Sequence, residues 1–105
     1  MQNGLKKAVM VPLNTAKMSF ETIKLAQPVV EYGNPNSITD VGVGAQIAYT
    51  GVIGGIYNVL INLKDITDEK FNSDMRKNCD KLKKEAMEQL SKITDKVESA
   101  LNKTK

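Results

Sequence analysis

The apolar positions of this chain change their period twice, and the changes divide it into three stretches. From Leu5 to about Tyr32, Val9, Leu13, Ala16, Phe20 and Ile23 recur at helical spacing, with Ala26 or Gln27 next on the same line. Pro12 and Pro28 interrupt that stretch, and proline removes a helical hydrogen bond and clashes with the preceding turn. A kink or a fresh helix start is therefore expected near Val11 and Pro12. Gly33, followed by Asn34 and Pro35, reads as a stop.

From Val41 to Leu63 no side chain is charged and five residues are glycine. As a helix this stretch is about 35 Å long, and Ser37 or Asp40 in the preceding turn can cap it. It is apolar nearly all round, which predicts a buried central helix. Gln46, Thr50, Asn58, Asn62 and the glycines make it too weakly hydrophobic for a membrane span. One seam stands out, in which Gly44, Ala48, Gly51 and Gly55 are followed on the same line by Asn58 and Asn62. Small residues there let another helix or a flat ligand approach the backbone, with two amides at the far end to hydrogen-bond it.

After Leu63 charge returns. Thr67 or Asp68 is the expected cap of a third helix, with acids in its first turn. Along it Phe71, Met75, Cys79, Leu82, Ala86, Leu90, Ile93, Val97 and Leu101 recur in steps of mostly four. That period predicts one long, nearly straight amphipathic helix with a solvated Lys/Glu face. The fold class is all-α: one domain over residues 1–105, a bundle of three helices, or four if Pro12 divides the first.

Composition narrows the chemistry. There is no histidine and a single cysteine, Cys79, so neither a Ser-His-Asp nor a Cys-His nucleophile can be built from this chain, nor a His-based metal site. A lone Cys reads as a small apolar residue and fits a cytoplasmic setting, and no secretory leader pattern opens the chain. The net charge of +3 comes from lysines mixed with acids, which does not make the one-sided basic face of a nucleic-acid binder. Candidate ligand-binding residues are Asn34, Asp40, Asn58 and Asn62. Two amides on one buried face point to a ligand or a cross-helix partner, because an unpaired one costs about 1–3 kcal/mol. Asp40 is the best carboxylate, with N-capping as its competing role. Asn34 lies in a turn, where Asn also serves the backbone.

Three blocks, VPLNTA (Val11–Ala16), GNPNSITDVGVGA (Gly33–Ala45) and NVLINLKDITDEKF (Asn58–Phe71), together resemble the later half of the cyclodeaminase domain shared by formiminotransferase-cyclodeaminase and the bacterial methenyltetrahydrofolate cyclohydrolases. The resemblance covers roughly residues 5–75. It implies a helical fold that dimerises, with a folate cleft among helices near a subunit interface. A tetrahydrofolate derivative is the implied substrate, with no metal. The implied chemistry is either cyclisation of a formimidoyl group with loss of ammonia or addition of water to the methenyl bridge. Lys6, Lys7 and Lys17 are candidates to meet a folate's glutamate tail. The family's Gly/Ser-rich first helix and its acidic residue have no counterpart here. The expectation is a fragment or one piece of a split enzyme, inactive alone. The rival reading is a non-catalytic helical module that only mediates oligomerisation.

Overall fold

The core stripe of the first stretch folds as predicted, and without a fresh helix start. In a computed structural model, which describes residues 1–33 and 35–103, helix α1 runs unbroken from Gln2 to Tyr32 with Pro12 and Pro28 inside it. A proline within a helix costs about 3 kcal/mol in isolation; Pro12 is half-buried where Gly55 of the second helix approaches its carbonyl, whereas Pro28 is exposed. Val9, Leu13, Ala16, Ile23 and Val30 are its buried line. The helix ends at Tyr32, and the Gly33 N–H closes the last turn on the Val29 carbonyl at 2.7 Å.

Helix α2 spans Ile38–Asn62 and helix α3 spans Glu69–Asn102, with short 3-10 turns at Pro35–Ser37 and Leu63–Asp65. Together the three helices form an antiparallel bundle about 60 Å long and 17 Å across. Its core joins the α1 line to Ala45, Val52, Ile56 and Val59 of α2, and to Cys79, Leu82, Ala86, Leu90, Ile93 and Val97 of α3. The α3 stripe is the predicted one, apart from Leu101, which is exposed at its end.

Helix α2 packs against both other helices, as a central helix should, yet only one of its faces is covered. Val43, Ile47, Tyr57 and Ile61 are exposed. Three helices in a triangle each turn only the inner side to the core, so a helix apolar all round keeps an apolar outer side. By length and composition the stretch Ile38–Asp65 is apolar enough to cross a membrane; in this fold it forms a wall of the bundle.

The α2–α3 turn is fastened to the start of α1. The Gln2 side chain donates to the Asp65 carbonyl at 3.2 Å and accepts from the Thr67 N–H at 3.0 Å. Asn72 donates to the Ile66 carbonyl at 2.8 Å. Of the two predicted caps it is Asp68 that serves α3, accepting from the Phe71 N–H at 3.0 Å. Lys6 reaches the other Asp68 oxygen at 2.8 Å while lying over the Phe71 ring. The Lys6 hydrogen bond first, and the Phe71 N–H second, hold the Asp68 carboxyl below its ordinary 3.8. A carboxylate whose folded pKa is depressed stabilises the fold above its unfolded value and loses that contribution as pH falls through the folded one. Asp68→Asn keeps the capping oxygen and removes the charge. The variant should melt below the parent at neutral pH, and the gap should close in strong acid as Asp68 titrates, as read by circular dichroism.

Candidate functional site

The small-residue seam of α2 is divided between two uses. A Cβ on Gly55 would lie 2.7 Å from the Pro12 carbonyl oxygen and 2.8 Å from the Ala16 Cβ, and one on Gly51 would lie 2.5 Å from the Ser19 hydroxyl. These two glycines let α1 rest directly on the α2 backbone. Around Gly44 on the seam, and around Gly54 beside it, nothing comes within 4 Å of where a Cβ would be. Between the helices, next to the Gly55 contact, lies an open depression of about 530 Å³.

Ala8, Val11, Pro12 and Thr15 form its α1 side; Gly51, Gly54, Gly55, Asn58 and Asn62 form its α2 side. The seam thus leads to the two asparagines as predicted, but their environment differs from the expectation. Both are exposed, so neither amide carries the cost of burial. Asn62 donates through its Nδ2 to the Asn58 carbonyl at 2.7 Å, which holds its side chain back along the helix. The Thr15 hydroxyl is turned to its own backbone, donating to the Val11 carbonyl at 3.2 Å. Pro12 has no N–H to offer the Ala8 carbonyl one turn earlier. The depression therefore has an apolar floor, amide groups at one end and no ionisable side chain in its lining.

Asp40 is exposed in the first turn of α2, where Ser37 occupies the N-cap position. It lies about five turns from Asn58, roughly 27 Å along the helix axis. The structure therefore brings Asn58 and Asn62 together and leaves Asp40 at the other end of the helix. Asn34 lies outside the described residues. Lys6 is committed to Asp68, whereas Lys7 and Lys17 are exposed on α1. A second depression of about 550 Å³, between α2 and α3, is lined by Tyr49, Met87 and the mixed charges of Asp80, Lys83, Lys84 and Glu88.

Cys79 is buried in the core, and burial first, with Asp80 adding to it, raises its thiol pKa. A raised pKa disfavours the reactive thiolate, in keeping with a packing role. Among the described residues no three His, Cys, Asp or Glu side chains gather where they would hold a metal ion. Sequence reading had not singled out Ala8, Val11, Thr15 or Gly54. The available signal was the off-core line Ala8, Val11, Thr15, which is uncharged on a helix whose outer side should be polar.

Residues 1–81 match the family model of formiminotransferase-cyclodeaminase. The chain is 37% identical over 99 residues to a formimidoyltransferase-cyclodeaminase of Sus scrofa, an alignment covering 94% of this chain and 18% of that protein. Against that of Gallus gallus it is 40% identical over 86 residues, covering 82% and 16% respectively. Against a methenyltetrahydrofolate cyclohydrolase of Methylorubrum extorquens it is 37% identical over 101 residues, covering 96% of this chain and 49% of the other. The chain thus spans about half the length of the cyclohydrolase and under a fifth of the two larger proteins. Every residue lining the α1/α2 depression falls inside the matched segment.

Proposed function

The chain belongs to the formiminotransferase-cyclodeaminase family, and from that premise we propose that it serves tetrahydrofolate one-carbon metabolism by supplying one wall of a folate site. The observation that carries this reading is the α1/α2 depression, with an apolar floor beside Gly54 and the amides of Asn58 and Asn62 at its rim. A pterin is flat, apolar on its faces and amide-like along one edge. A glycine floor suits the face, and paired amides suit the edge, since each both donates and accepts.

Two reactions fit this reading. In one, water adds to the methenyl carbon, one ring C–N bond breaks and a proton leaves, giving the formyl form. In the other, a formimidoyl group on the pterin ring closes onto the neighbouring bridge nitrogen and ammonia departs. Both require a proton shuttle and accurate positioning. The lining supplies positioning groups and no ionisable one, so in this reading the proton-transfer group comes from a segment seated opposite this wall. Asp40 and the turn at Asn34 belong to the same reading as contacts for a more distant part of the ligand, and a homodimer or higher homo-oligomer in the cytoplasm is its setting. A second reading, a helical module that only mediates assembly, draws support from the exposed apolar line on α1.

The assay is methenyltetrahydrofolate absorbance with the chain alone and with the remaining part of a cyclohydrolase domain supplied in trans. The chain alone should leave hydrolysis at its buffer rate. Turnover by the chain alone at about 1 s⁻¹ or faster, an ordinary enzyme rate, would show that the wall is a whole site. Absence of folate binding even in the mixture would favour the assembly module.

A further inference from the structure

Helix α1 carries a second stripe that the bundle does not use. Val11, Met18, Leu25 and Tyr32 stand seven residues apart, and with Ile47 and Tyr57 of α2 each is between 65% and 83% exposed. The positions between them are Thr15, Thr22 and Val29, so the steps alternate four and three, the spacing of a coiled-coil seam. The Thr15 and Thr22 hydroxyls donate to the Val11 and Met18 carbonyls of their own helix, both at 3.2 Å. The stripe thus makes no polar demand on whatever lies against it. Beside it, Gly44 and Gly54 leave the α2 backbone open. An exposed apolar face of this extent on a monomer marks an interface.

We infer that this α1/α2 face seats a long amphipathic helix from the half of the cyclodeaminase domain that this chain does not match, whether joined to it or carried on a separate polypeptide. The 101 residues aligned to the cyclohydrolase are 49% of that protein, so about as many again share a chain with the matched half and need a surface on it. The outer face of α3 is unsuited to that role, because it carries Lys77, Asp80, Lys81, Lys84 and Glu88. The α1/α2 face is suited in length as well as character: from Val11 to Tyr32 it extends about 32 Å, the span of a helix of some twenty residues. A helix laid there roofs the depression at Asn58 and Asn62 and can bring to it the ionisable group its lining lacks. The inference rests on the family assignment and deepens the folate reading by naming the missing wall's seat.

The test co-expresses this chain with the segment of the Methylorubrum cyclohydrolase that it does not match and weighs the product by size-exclusion chromatography with light scattering. A one-to-one complex is expected. Met18→Lys with Leu25→Lys should weaken association at least tenfold while leaving the helical circular dichroism of the chain unchanged, since both side chains are already in solvent; Lys84→Glu on α3 should have no effect. No complex, a complex indifferent to the double substitution, or self-association of the chain through this face overturns the inference. Methenyltetrahydrofolate binding is read separately on the same samples. A stripe-dependent complex that ignores the folate keeps the docking and removes the folate reading, whereas folate binding without a stripe-dependent complex does the reverse.

Discussion

Gly55→Ala should lower the thermal midpoint of the chain by up to roughly 16 °C once alanine's helix preference is set against the overpacking, while Gly54→Ala, one residue away, should leave it unchanged or raise it by a few degrees. The new methyl at position 55 falls 2.7 Å from the Pro12 carbonyl oxygen and 2.9 Å from the Ala16 nitrogen. Both are backbone atoms of a continuous helix, so relief requires moving α1 away from α2, and overpacking of this kind costs about 1–3 kcal/mol or somewhat more. For a chain near 100 residues each kcal/mol is worth about 4–8 °C. At position 54 nothing lies within 4 Å, and alanine is favoured over glycine in a helix by about 1 kcal/mol. Gly51→Ala should fall between the two, because the atom in its way is the Ser19 hydroxyl, which can rotate. Thermal melts of the three variants test the order. If positions 54 and 55 respond alike, the close α1/α2 contact is not what the glycine seam is for.

The second large effect concerns function. Asn58→Ala with Asn62→Ala should cut methenyltetrahydrofolate affinity of the assembled site roughly 10- to 100-fold, at a net 0.5–1.5 kcal/mol per hydrogen bond and 1.4 kcal/mol per tenfold. Stability should scarcely change, because both side chains are exposed and alanine is the better helix former. Isothermal titration together with a urea melt separates the two quantities. Unchanged affinity would move the ligand away from this end of α2, leaving the charged depression at Lys83 and Lys84 as the place to look.

The helices were legible because their buried lines are periodic. The α1 line through Val9, Leu13, Ala16 and Ile23 and the α3 line through Cys79, Leu82, Ala86, Leu90, Ile93 and Val97 could be read directly, and the start of α3 to within one residue, Thr67 or Asp68, of which Asp68 is the cap. The continuity of α1 was not legible. Local chemistry argues for a break at Pro12, and it takes the contact of Gly55 with Pro12 and Ala16, some forty residues away in sequence, to explain why the helix continues. The seam of α2 was visible as small residues followed by amides, but its division was not. That Gly51 and Gly55 meet α1 while Gly44 on the same seam stays open depends on the angle at which α1 lies, which a single helix's sequence does not contain. For the same reason Asn58 and Asn62 were expected to be buried: an uncharged helix predicts an apolar environment but not how many neighbours provide it. Asp40 and the asparagines share a side of α2, and only the rise of the helix puts them at opposite ends.

The contrast between the charged outer face of α3 and the uncharged face of α1 and α2 sets how the chain behaves as a solute. Salt at about 0.1 M confines the field of the α3 charges to roughly 10 Å; since those charges are of both signs, this changes the repulsion between molecules little, and it does little to attraction between apolar faces. Sulfate strengthens that attraction and cold weakens it. The unpartnered chain is thus best kept dispersed in cold buffer free of sulfate.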